Sequence, residues 1–179
     1  MNHQTISKIR QRTVQLLDAS GITAPPVNVE TVAASLRITI RRTPTEDEVS
    51  GFLLKRHGAP AIIGVNALHH PNRQRFTIGH EIGHFVLHDF DEVHVDKFVV
   101  RLRNEASSSG EDKEEVEANR FAAELLMPRH MLERELAQFA MNDLLDDRAM
   151  QRLAKAFQVS VQAMSNRLIS LRYIAPAEF

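Results

Sequence analysis

Two histidines four residues apart, with a glutamate directly after the first, are the residues of this chain best suited to do chemistry: His80-Glu81-Ile82-Gly83-His84. On a helix, positions i and i+4 share one face, about 6 Å apart along the axis. Two imidazoles placed there converge on one metal ion, and zinc takes imidazole nitrogen at about 2.0–2.1 Å. Glu81 lies too close to the helix to ligate easily. It is expected to act as general base, taking the proton of a water that zinc has acidified toward a pKa of about 7 and that attacks a peptide carbonyl. The competing reading is two solvated histidines beside an ordinary glutamate. The surrounding sequence argues against it, because the helix has an apolar face, follows two β-type segments and carries Gly83 beside the metal face.

A catalytic zinc needs a third protein ligand and an open position. The longer pattern with a third histidine is absent: Leu87 and Phe90 stand where its glycine and histidine would be. His88 continues the four-residue series but lies about 12 Å along the axis from His80. It reads as a partly exposed histidine at the negative end of the helix dipole. His94, His69 and His70 are minor candidates. A carboxylate from a second helix fits better. In Glu114-Glu115-Val116-Glu117-Ala118-Asn119 the expected buried stripe continues through Ala118, Ala122, Leu125 and Leu126, and Glu115 lies on its edge. Glu115 is therefore the preferred third ligand and Glu117 the runner-up, while Glu114 reads as solvated. Asn119 is expected to hold a ligating histidine from behind. The small residues Ala118, Ala122 and Ala123 let the two helices approach closely.

Those residues need a scaffold. Ile6, Ile9, Val14, Leu16 and Leu17 predict a first helix over 4–19, stopped at Gly21. Asn28 predicts a capped second helix ending near Leu36. β-type runs follow at 38–42, 51–56 and 61–65, the last two joined through Gly58 and Pro60 as a hairpin. Pro71 opens the helix of the histidine motif, which runs to about His88 with Phe76, Gly79, Ile82, Gly83 and Val86 on its core face. Residues 104–110 read as a loop, and Ser108 or Ser109 is expected to cap a helix over 112–127. Pro128 suits the first turn of a helix over 128–140. Two last helices are expected near 147–157 and 160–172.

Composition bounds the rest. The 179 residues are 43% hydrophobic, enough for one core or a core with a small appendage. A net charge of −1 argues against a protein built mainly to grip phosphate. With no cysteine, a metal must be held by His, Asp or Glu. No apolar run resembles a leader or a membrane span, so a cytoplasmic location is expected.

The stretch Arg73-Gln74-Arg75-Phe76-Thr77-Ile78-Gly79-His80-Glu81-Ile82-Gly83-His84, taken with the segment from Glu115 through Asn119 to Pro128, resembles the ImmA/IrrE family of metallo-endopeptidases. The resemblance is specific over about residues 50–130 and looser elsewhere. It implies a zincin-like fold and, as third ligand, the glutamate four residues before the asparagine of the second motif, which is Glu115 here. It also implies a substrate: a cognate helix-turn-helix transcriptional repressor, often encoded nearby, cleaved by an anti-repressor of mobile elements, stress responses or toxin–antitoxin-like modules. Gly79 stands where the family commonly has alanine, and no extra sensor-like domain is expected. Zn²⁺ is the expected metal, with Mn²⁺ or Fe²⁺ also suited to two imidazoles and a carboxylate. For the oxyanion the candidates are Tyr173 in the last helix, His94 or an arginine.

The expected architecture is α+β, with a zincin-like metallopeptidase domain over 1–140 containing a small antiparallel sheet, and a helix-turn-helix-like region over 141–179. From Arg148 to Arg172 there are five basic residues and no acidic ones. DNA contact through 148–172 is one reading. The favoured one is a helical pair packed on the core through Leu153, Ala156, Phe157, Val159, Met164 and Leu168, and a docking surface for the repressor stands between the two. The rival to the enzyme is a non-catalytic module that sequesters a repressor or binds DNA.

Overall fold

The computed structural model describes residues 2–45, 49–55, 58–88, 93–97, 110–138 and 146–175, with the backbone alone for 93–97 and 110–112. Among the described residues the order is α1 (His3–Ala19), α2 (Val29–Ser35), β1 (Ile38–Thr43), β2 (Val49–Leu54), β3 (Ala61–Asn66), α3 (Pro71–Leu87), β4 (Val93–Lys97), α4 (Gly110–Leu126), α5 (Arg129–Leu136), α6 (Asp147–Phe157) and α7 (Val161–Ser170). This is the expected α+β class. None of these helices is long and apolar enough to cross a membrane.

The local signals act as their chemistry predicts. Asn2 caps α1 by accepting from the Thr5 N–H at 2.8 Å, and Asn28 caps α2 by accepting from the Thr31 N–H at 2.9 Å. Gly21 leaves α1 with φ +67°, a conformation that costs glycine nothing. Pro128 is the residue before α5 rather than in its first turn, and that helix stops at Leu136. The expected cap at Ser108 or Ser109 and most of the expected loop over 104–110 lie outside the described residues.

The sheet has the order β1-β3-β2-β4. It is mixed rather than wholly antiparallel: β2 pairs antiparallel with β3 and with β4, but β1 pairs parallel with β3, Ile38 opposite Ala61 and Thr43 opposite Asn66. The reason is topological. The chain reverses after β1 and again at the hairpin, so β3 regains the direction of β1; β3 then inserts between β1 and β2, which makes its contact with β1 parallel.

α3 lies across this sheet and α4 lies on α3. A methyl group added at Gly51 on β2 would fall 2.5 Å from Thr77 Cγ2 and 2.8 Å from the Gly64 carbonyl oxygen, so the lack of a side chain there seats α3 on the strand. On the other side, Gly83 faces Ala118 and Gly79 faces Ala122. Ala118 and Ala122 thus act as expected, while Ala123 is only half-buried. The two glycines differ in how much room they have. A methyl at Gly83 would sit 3.1 Å from Ala118 Cα and 3.2 Å from its carbonyl oxygen, whereas one at Gly79 would sit 3.5 Å from Ala122, an ordinary contact. Gly83→Ala is therefore expected to destabilise by about 1–3 kcal/mol through overpacking. Gly79→Ala should be neutral or stabilise by up to about 1 kcal/mol through helix propensity. Denaturant midpoints of the two variants check the pair.

The C-terminal helices belong to the same core. Leu153, Phe157, Val159, Met164 and Leu168 are buried in one cluster with Ile9, Ile63, Ile82 and Leu125. Ala154 takes the buried place expected of Ala156, which is half-buried. Arg75 of α3 ties in the turn between α6 and α7, donating to the carbonyls of Gln158 at 3.3 Å and Phe157 at 3.5 Å, and to that of Val27 at 3.0 Å. Burial pulls this guanidinium's pKa below its ordinary value, while Glu30 opposes the shift.

Candidate metal centre

Positions 80 and 84 face α4 because the apolar period of α3 turns them inward: Thr77 through His84 are all buried. The two rings meet edge to face, centroids 4.6 Å apart, with their Nε2 atoms separated by 3.0 Å. Glu115, in the first half of α4, brings Oε2 to 3.4 Å from His80 Nε2 and Oε1 to 3.2 Å from His84 Nε2. His80, His84 and Glu115 are the group of donors among the described residues that a single ion can join.

Two physical tests show that a metal fits. Four donors arranged tetrahedrally at 2.0–2.1 Å from a centre lie about 3.3 Å from one another. The observed separations of 3.0, 3.2 and 3.4 Å match one face of such a figure. The second test is the proton count. Asn119 Oδ1 lies 3.1 Å from His80 Nδ1, and an amide oxygen can only accept, so the proton of neutral His80 sits on Nδ1. Its Nε2 then presents a lone pair toward the other two donors, as a metal requires. The Glu115 carboxylate, 36% exposed, is the solvent-facing member of the set.

Glu81 is fully buried on the same helix, and its Oε1 would lie 3.7 Å from a methyl group at Gly51. A carboxylate is thus placed between the helix that carries the donors and the β2 strand. Asn119 sits where the sequence put it, behind His80. Asn119→Ala is expected to weaken metal affinity by about 10–100-fold with little loss of fold, as checked by competition with a chromophoric chelator.

The other candidates are placed elsewhere. Glu117 does not join the donor group; its Oε2 lies 3.3 Å from His88 Nε2. His88 caps the end of α3 and is half-buried as a residue, with its side chain only 5% exposed beside Glu117. His70 accepts from the Asn72 N–H at the start of α3, and His69 lies 3.4 Å from the Asn66 side chain. His94 is on β4, opposite Leu53, with its side chain outside the described residues. Tyr173 falls beyond the last helix, not within it. Its hydroxyl donates to Glu133 at 3.0 Å, and Arg129 holds the Glu133 carboxyl below the usual carboxylate range.

Sequence reasoning missed Glu124. It is buried on α4, with Arg167 of α7 at 2.8 Å and Arg10 of α1 at 3.5 Å. A signal for it existed: an acid interrupts the apolar stripe of α4, and an arginine interrupts that of α7 between Met164 and Leu168.

A histidine pair on a helix, a carboxylate from the helix packed on it, and a mixed sheet beneath together define a zincin-like domain. The family model described as the IrrE N-terminal-like domain, Peptidase M78, matches residues 33–169, so the chain belongs to that metallopeptidase family. The matched span runs from α2 into α7 and includes every donor named above. None of the curated proteins compared matches the chain.

Proposed function

We propose that the protein is a zinc-dependent endopeptidase that hydrolyses one or few peptide bonds in a helix-turn-helix transcriptional repressor encoded near it. The observation that carries the enzymatic part is the convergence of His80 Nε2, His84 Nε2 and a Glu115 carboxylate within 3.4 Å of one another, with Glu81 buried beside them. His80, His84 and Glu115 would hold the ion, and Mn²⁺ or Fe²⁺ would suit the same donors. A bound divalent ion supplies Lewis acidity toward a peptide carbonyl and toward water. Glu81 takes the proton of the attacking water and returns it to the leaving amine. Asn119 keeps His80 oriented throughout. The substrate class rests on the resemblance to the anti-repressor members of the family.

The binding-module rival loses support from Arg167. One of the five basic residues between Arg148 and Arg172, it is buried against Glu124 and donates to the Met127 carbonyl at 3.0 Å, so phosphate has no access to it. The test is to purify the protein without chelators, measure bound metal, and add the neighbouring repressor with and without Zn²⁺ or Mn²⁺. One metal-dependent cut is the expected result. A preparation that takes up no metal would sink the proposal, and tight, salt-sensitive DNA binding by the protein alone would favour the rival.

A further inference from the structure

A second line of polar contacts leads away from the donor group toward the end of α3. His88 follows His84 by one helical turn, and its Nδ1 lies 3.2 Å from His84 Nδ1. Its Nε2 lies 3.3 Å from Glu117 Oε2. The His88 side chain is 5% exposed and that of Glu117 is 15% exposed, so bulk water does not intervene freely between them. The other Glu117 oxygen faces Lys113 at 3.8 Å.

The far end of this chain assigns the protons. A carboxylate only accepts, so His88 Nε2 carries the hydrogen that points at Glu117. When that is the only hydrogen on the ring, His88 Nδ1 carries a lone pair that can only accept, and the hydrogen between the two histidines belongs to His84 Nδ1. That leaves His84 Nε2 with a lone pair, directed at His80 Nε2 and Glu115. We propose that His88 and Glu117 form a positioning pair which fixes His84 in the Nδ1–H tautomer and so prepares its Nε2 to bind metal. Asn119 does the same for His80 from the other side, so each histidine of the motif has an acceptor behind it. The proposal rests on the metal-site reading above. It also explains why the runner-up Glu117 lies close to the centre without contributing a donor to it.

The test uses the full chain with ¹⁵N-labelled histidine. Long-range ¹⁵N–¹H correlation on metal-free protein reports the tautomer of His84, and chelator competition reports zinc affinity. His88→Phe fills the same space without an acceptor, and it is expected to raise the Nε2–H form of His84 and weaken zinc binding by about 10–100-fold. His88→Gln keeps one acceptor and one donor, and it should stay within a few-fold of wild type. A role in packing alone predicts the reverse order, with Phe tolerated and Gln not. Should His88→Phe fail to fold, Glu117→Gln decides the matter: it is nearly isosteric, can donate as well as accept, and is expected to blur the tautomer and weaken zinc several-fold. An unchanged tautomer or an unchanged affinity in the folded variant overturns the positioning pair. A wild type that binds no zinc overturns the metal reading and the pair with it, which is distinguishable from a wild type that binds zinc no better than His88→Phe.

Discussion

Glu81→Gln is expected to keep its metal and its fold while cutting peptide-bond cleavage by about 10²–10⁴-fold, the usual contribution of a positioned general base. The side chain is fully buried in the seam between α3 and β2, where Gly51 leaves space for it. Glutamine has the same shape and keeps one oxygen that can hold a water by hydrogen bonding. It cannot take a proton from that water. The loss should therefore fall on kcat, with KM nearly unchanged, because the missing interaction exists only as the proton moves. Substitution of a donor gives a different signature: His84→Ala should lose the metal itself, and with it the stabilisation that a bound ligand confers on the folded state. Metal content, melting temperature and cleavage measured on both variants separate a base from a ligand. A Glu81→Gln protein that cuts within a few-fold of wild type would remove Glu81 from the mechanism while leaving the metal centre standing.

The contrast between these residues also explains what could be read from the sequence. His80 and His84 are spaced by one helical turn, and Glu115, Ala118, Asn119 and Ala122 by three and four residues, so helix geometry alone puts each set on one face, with Glu81 turned aside toward β2. That is why the structure brings together the donors expected from the sequence. The parallel contact of β1 with β3 has no such local signal, since it depends on which edge of the hairpin the earlier strand meets. The enclosure of the His88 ring has no local signal either: it depends on α4 crossing at that level and bringing Glu117 to it. Ala154 is buried and Ala156 only half-buried against the same core, a difference that periodicity does not decide because both alanines flank the Leu153–Phe157 stripe.

The second large effect lies at a contact between two helices distant in sequence, α4 and α7. Glu124→Leu is expected to destabilise the protein by about 3–5 kcal/mol, because it leaves Arg167 buried without its carboxylate. Arg167 is held inside the core with its Nε–H donating to the Met127 carbonyl, and burial already pulls its pKa down while Glu124 pushes it back up. A guanidinium does not shed its proton at any ordinary pH, so the stranded charge has no way to neutralise itself. Arg167→Met should cost less. The remaining Glu124 keeps Arg10 at 3.5 Å and can protonate. The double variant Glu124→Leu/Arg167→Met removes both charges and should recover most of the loss, since a buried ion pair replaced by apolar groups of similar volume is often nearly neutral. Recovery should be incomplete because the Met127 carbonyl loses its donor. A double-mutant cycle by denaturant unfolding measures the coupling. Near-additive losses would show that Arg167 and Glu124 act separately, and would undercut the view that this pair fastens α7 to α4 and makes the C-terminal helices part of the peptidase core.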